Sequence, residues 1–204
     1  MIGNQIGHRL DPLLHRVLKK IYGDQGDPNF FTFSGFLASL VASTLLIKGL
    51  WILGGLAILL SGFFDLLDGI VARKTGKVTV FGGFFDSVLD RYSDLFLMMG
   101  ILIYYLMRNE PGMVILSSFT SVGIALVPYA RARAEAAHLS CTVGLMERAE
   151  RMILLSIGAL FHLMGPVLWV LAVLTHLTVI HRIYHVWKQL HEETNPKSQD
   201  PNSK

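Results

Sequence analysis

The sequence predicts an all-α, polytopic membrane protein, with six transmembrane helices preceded by an N-terminal amphipathic interfacial helix. Three observations carry this. The 204-residue chain is 52% hydrophobic and only 16% charged, with a mean hydropathy of +0.48, too apolar for an ordinary soluble domain. Its apolar residues fall into six runs, each close to the length needed to cross about 30 Å of hydrocarbon. Its basic residues gather between alternate runs.

At the start, Leu10, Leu13, Leu14, Val17, Leu18 and Ile21 recur at helical spacing, while Arg9, Arg16, Lys19 and Lys20 take other faces. Residues 1–23 therefore read as a helix lying on the membrane surface. They lack the continuous apolar core of a secretory leader. The spans are expected over residues 29–47, 50–71, 80–107, 113–134, 146–163 and 166–186. Residues 1–191 form one membrane domain, and the polar stretch 192–204, with Asn195-Pro196 and Asp200-Pro201, is expected as a mobile tail.

Six spans put both termini on one side. That side collects Arg73, Lys74, Lys77, Arg131, Arg133, Arg148, Arg151, Arg182 and Lys188, whereas the other offers Lys48 and Arg108. The asymmetry predicts cytoplasmic termini in a cell membrane. The basic residues are separated by long apolar runs rather than interleaved with aromatics, which excludes a nucleic-acid surface. The single cysteine, Cys141, excludes an intrachain disulfide framework and reads as a small buried hydrophobe. Trp51, Trp169 and Trp187 fall near span ends, as interfacial aromatics do. His181 and His185, four apart, read as an interfacial polar face.

Asp65, Asp68, Asp86, Asp90 and Asp94 lie within or at the ends of apolar spans. Ionised carboxylates are costly there and mark a functional site by default. Asp65 and Asp68 share one helix face, and Asp86 and Asp90 share another. The short basic connection between their helices makes the two spans antiparallel neighbours, so four carboxylates can converge. Such convergence suits Mg2+ or Mn2+, two ions in a phosphoryl-transfer site. Structural ion pairs with Arg73, Arg91 or lysines, and a proton-coupled transporter, fit the spacing as well. Asp94 is expected to pair with a basic residue of another span, and Arg91 to serve as an ion-pair or interface residue.

Read in order, the residues spell Asp65-x2-Asp68-Gly69-x2-Ala72-Arg73-x8-Gly82-x3-Asp86-x3-Asp90. This resembles the signature of the CDP-alcohol phosphotransferase family, with every position filled. The resemblance implies a CDP-diacylglycerol-type lipid donor, transfer of its phosphatidyl group to an alcohol with release of CMP, and a homodimer. It implies Asp65, Asp68, Asp86 and Asp90 as metal ligands for two ions, with Asp90 also the general base. Gly69, Ala72, Arg73, Thr79 and Gly82 would face the CDP group. Asn29 and Thr32, in Pro28-Asn29-Phe30-Phe31-Thr32, would border it.

Arg131, Arg148 and Arg151 fall on the same side of the membrane and form a natural phosphate site. They point to a phosphorylated polar acceptor. The surrounding stretches resemble prokaryotic phosphatidylinositol phosphate synthases, which implies an inositol phosphate. Glycerol 3-phosphate, as in a phosphatidylglycerophosphate synthase, remains an alternative acceptor, and a metal- or proton-coupled transporter an alternative class.

Overall fold

The computed structural model describes residues 27–76 and 78–194, and the expected interfacial helix at 1–23 and most of the expected tail lie outside them. The described residues form six helices: α1 (Pro28–Ile47), α2 (Trp51–Thr75), α3 (Val80–Met107), α4 (Pro111–Ala136), α5 (Arg148–Leu160) and α6 (Met164–Thr194). No described residue is in a strand.

Local chemistry sets the helix ends. Asp27 caps α1, its carboxylate accepting from the Asn29 N–H at 3.0 Å, and Pro28 occupies the first turn, where its missing N–H costs nothing. Thr79 caps α3 in the same way, accepting from the Gly82 N–H at 2.9 Å. Helix α2 stops at Gly76, whose φ of +66° is the left-handed conformation that glycine adopts without strain.

Four helices, α1, α2, α4 and α6, are long and apolar enough to cross a membrane. The protein is a multi-pass membrane protein. Helix α3 has 28 residues but carries Asp86, Asp90, Arg91 and Asp94. Helix α5 has 13 residues, about 20 Å at 1.5 Å per residue. It is shorter than the apolar run 146–163, because Phe161 ends it and His162, at φ +55°, turns the chain.

Among the described residues, the packed pairs close a ring in the order α1, α2, α5, α6, α4, α3. Helices α2 and α3 are antiparallel but not packed on each other, contrary to the expectation from their short connection; α1 lies against both. The gap is chemically reasonable, since facing carboxylates cannot interdigitate as apolar side chains do. The middle of the ring is filled by Leu46, Ile58, Leu97, Met98, Ile101, Leu155, Leu168 and Leu171, all buried. The outside carries exposed Leu37, Leu56, Ile115 and Trp169, as a lipid-facing surface requires.

Small residues let the helices approach. Ser43 of α1 donates to the Phe96 carbonyl of α3 at 2.6 Å. Opposite it, a Cβ on Gly100 would lie 2.8 Å from the Ser43 carbonyl oxygen. Backbone cannot yield as a flexible side chain does, so Gly100→Val should lower stability by about 1–3 kcal/mol. The check is the thermal unfolding midpoint in detergent against Gly62→Ala, where an added Cβ meets nothing within 4 Å.

Candidate active site

Because successive helices alternate in direction, one end of the ring gathers the starts of α1, α3 and α5 and the ends of α2, α4 and α6. The acidic residues lie there. Helix α2 presents Asp65 and Asp68, and α3 presents Asp86 across the gap. Each offers a carboxylate oxygen within 4.8 Å of the other two. Thr32 of α1 orients the set by donating its hydroxyl to Asp68 Oδ2 at 2.8 Å. Asp90 stands one turn beyond Asp86, outside this trio. Its Oδ1 lies 2.7 Å from Arg148 Nη1, and the same nitrogen contacts Asp65. The structure thus brings three of the four expected metal ligands together and ties the fourth to them through an arginine.

A divalent cation fits this donor set. The oxygens are hard, anionic and close together. Asp86 Oδ1 is buried with no hydrogen-bond partner among the described residues, which an unligated carboxylate oxygen should not tolerate.

The neighbouring ion pairs are built across the ring. Arg151 of α5 donates to Asp94 of α3 at 2.6 Å and to the Met146 carbonyl at 3.2 Å. Both members are nearly inaccessible, Arg151 at 2% and Asp94 at 4% exposure. Asp94 is therefore paired with another helix, as expected.

Two cavities flank the aspartates and share Gly69. The first, about 590 Å³, is lined by Asn29, Thr32, Asp68, Gly69, Ala72, Thr79, Gly82 and Asp86, among others. Those include every residue expected to face a CDP group except Arg73. Gly82 keeps this cavity open, since a Cβ there would meet Thr79 Oγ1 at 2.9 Å and Asn29 Oδ1 at 3.5 Å. The second, about 1070 Å³, is lined by Asp65 together with Arg73, Arg131, Arg148 and Arg151. Arg73 thus faces the second cavity, and its guanidinium lies against Gly69 where the two spaces meet.

Sequence reasoning missed several residues of the second cavity: Ser87, Arg91, Tyr129, Glu147 and Arg182. Arg182, read only as a topological charge, is 3% exposed. It donates from Nε to the Val143 carbonyl at 2.9 Å and from Nη1 to the Val127 carbonyl. With Gln189, whose amide donates to the Ser140 carbonyl at 2.7 Å, it fastens the 137–147 connection to α6. Cys141 of that connection is buried. An arginine inside the last apolar run was the available signal for Arg182.

The family model for CDP-alcohol phosphatidyltransferases matches residues 27–181. The chain belongs to that family. The transferase is 37% identical over 178 residues to an archaetidylinositol phosphate synthase of Pyrococcus horikoshii, covering 87% of this chain and 92% of that one. It is 34% identical to a phosphatidylinositol phosphate synthase of Mycobacteroides abscessus, covering 86% and 82%. Two crystal structures of the Mycobacterium tuberculosis phosphatidylinositol phosphate synthase share its fold. The one with CDP-DAG bound has a TM-score of 0.75 and 30% identity, over 94% of this chain and 98% of that one. The one in complex with manganese and citrate has a TM-score of 0.77 and 28% identity, over 93% and 92%.

Removing one member of a buried ion pair leaves an uncompensated charge. Arg151→Met should destabilise the transferase by about 3–5 kcal/mol, and the double variant with Asp94→Leu should recover much of the loss. Unfolding midpoints of the wild type, both single variants and the double variant measure this.

Proposed function

We propose that the protein transfers a phosphatidyl-type group from a CDP-activated lipid such as CDP-diacylglycerol to a hydroxyl of a phosphorylated polyol, an inositol phosphate first, releasing CMP in phospholipid synthesis. One observation carries the reading. An acidic cluster separates a cavity lined by the signature residues from a larger cavity lined by arginines. A transporter would need no such division, and its carboxylates would sit nearer mid-membrane.

The donor's CMP moiety occupies the first cavity, against Asn29, Thr32, Gly69, Ala72, Thr79 and Gly82, with its diphosphate directed toward Gly69 and Arg73. Asp65, Asp68, Asp86 and Asp90 would hold two divalent cations, Mg2+ by preference, which supply charge neutralisation for the diphosphate when bound. Arg131, Arg148 and Arg151 draw the acceptor phosphate into the second cavity. Each keeps N–H donors beyond those it spends on the protein, since a guanidinium carries five.

Asp90 takes the proton of the acceptor hydroxyl as its oxygen attacks the β-phosphorus. The bond from that phosphorus to the bridging oxygen breaks, and its electron pair leaves with CMP. Arg148 orients the base, holding Asp90 Oδ1 at 2.7 Å while also contacting Asp65. The remaining elements of the proposal are six spans, cytoplasmic termini in the cell membrane, and a homodimer. The charge asymmetry supports the orientation, and the family pattern supports the dimer.

The test is CMP release by purified protein with CDP-diacylglycerol and Mg2+, offering inositol 1-phosphate, glycerol 3-phosphate, free inositol or serine. Release with inositol 1-phosphate is expected, and release only with glycerol 3-phosphate would move the assignment to that acceptor. Asp90→Asn should abolish turnover while leaving the unfolding midpoint near wild type. Near-normal product formation by that variant would remove Asp90 from the mechanism.

A further inference from the structure

Among the described residues, the second cavity has six arginines on its wall: Arg73, Arg91, Arg131, Arg148, Arg151 and Arg182. Four of them spend guanidinium donors on fixed partners. Arg131 donates to Glu135 at 2.7 Å, and Arg148 pairs with Asp65 and Asp90. Arg151 holds Asp94 and the Met146 carbonyl, and Arg182 holds the Val127 and Val143 carbonyls.

Arg91 is different. Its ion pair is with its sequence neighbour Asp90 at 3.7 Å, beyond hydrogen-bond distance. Its Nε, like those of Arg148 and Arg151, is buried with no hydrogen-bond partner among the described residues, but those two arginines have other nitrogens 2.7 and 2.6 Å from carboxylates. Buried guanidinium donors left unsatisfied cost free energy, and native structures normally supply them with a partner.

The helix geometry says where that partner would be. Ser87 and Arg91 are four residues apart on one face of α3, and both line the second cavity. Asp86 and Asp90, one position earlier each, lie about 100° round the helix. Helix α3 therefore turns one face to the aspartate cluster and the adjacent face to the arginine-lined space.

We propose that Arg91 binds the phosphate of the acceptor and is a specificity-determining residue for phosphorylated over unphosphorylated alcohols. The inference rests on the second cavity being the acceptor site. An acceptor held by Arg91 is anchored on the residue next to Asp90, so its hydroxyl is delivered beside the group that takes the proton. The planar fork of arginine matches two phosphate oxygens at once, which a lysine cannot do.

Steady-state CMP release by the full chain, with inositol 1-phosphate and CDP-diacylglycerol varied in turn, tests this. Arg91→Ala should raise the acceptor KM about 10–100-fold, the range expected for lost hydrogen bonds to a charged group. The donor KM and kcat should stay near wild type, and Arg91→Lys should recover part of the acceptor KM. Should Arg91→Ala fail to fold, Arg91→Gln carries the same comparison. An unchanged acceptor KM, equal rises for donor and acceptor, or a fall in kcat alone would overturn the proposal. Wild-type protein that uses free inositol as well as inositol 1-phosphate would refute the phosphorylated-acceptor reading itself. A wild type that requires the phosphate, with Arg91 variants of unchanged acceptor KM, would refute Arg91 alone.

Discussion

Negative charge concentrated inside an apolar bundle is the constraint on which the rest of this structure depends. Asp65, Asp68 and Asp86 place oxygens within 4.8 Å of one another. At an effective dielectric constant of about 20, each such pair of charges repels by roughly 3–4 kcal/mol. Apolar packing alone cannot hold that arrangement, so every element at this end of the ring answers to it. Helices α2 and α3 stand apart, with α1 against both. Thr32 binds one carboxylate, and the first turn of α5 sends Arg148 and Arg151 to three more on α2 and α3.

In the proposed function, that arrangement would let one site serve two substrates. The aspartates form a wall with a cavity on either side, and among the described residues the two linings share only a glycine. A side chain on Gly69 would displace the Arg73 guanidinium, whose Nη1 lies 3.2 Å from the Cβ position. In the proposed reaction the phosphorus and the hydroxyl would meet beside this glycine. The cation, donor and acceptor sites of the proposed function would be separated by side-chain chemistry rather than by domains.

Much of this was legible in the sequence because the signals are local. Apolar runs marked the helices, and α3 ends where the hydropathy predicts. The three- and four-residue spacings of the aspartates fixed which carboxylates share a face, and Asp94 found its partner on another helix. What could not be read was the order of the ring. A short connection between α2 and α3 implied packed neighbours, but the sequence does not say that α1 lies against both. Nor could it separate the roles of the arginines. Arg148 and Arg151 read together as a phosphate site and Arg182 only as a charge on one side of a membrane, yet in space Arg148 meets two carboxylates, Arg151 a buried aspartate and Arg182 two carbonyls. Arg91 was hidden because, beside Asp90 in sequence but about 100° round the helix from it, it reads as an ion-pair or interface residue.

Asp65, Asp68 and Asp86 are proposed to hold a divalent cation at the junction of the two cavities. Equilibrium binding of Mn2+ to the purified protein, followed by the loss of the free-ion electron paramagnetic resonance signal, tests it most directly. Saturable binding to the wild type is expected, with severely weakened binding to a folded Asp86→Asn variant, whose orphaned carboxylate oxygen would no longer be an anionic ligand. Equal Mn2+ affinity in the two proteins would contradict it.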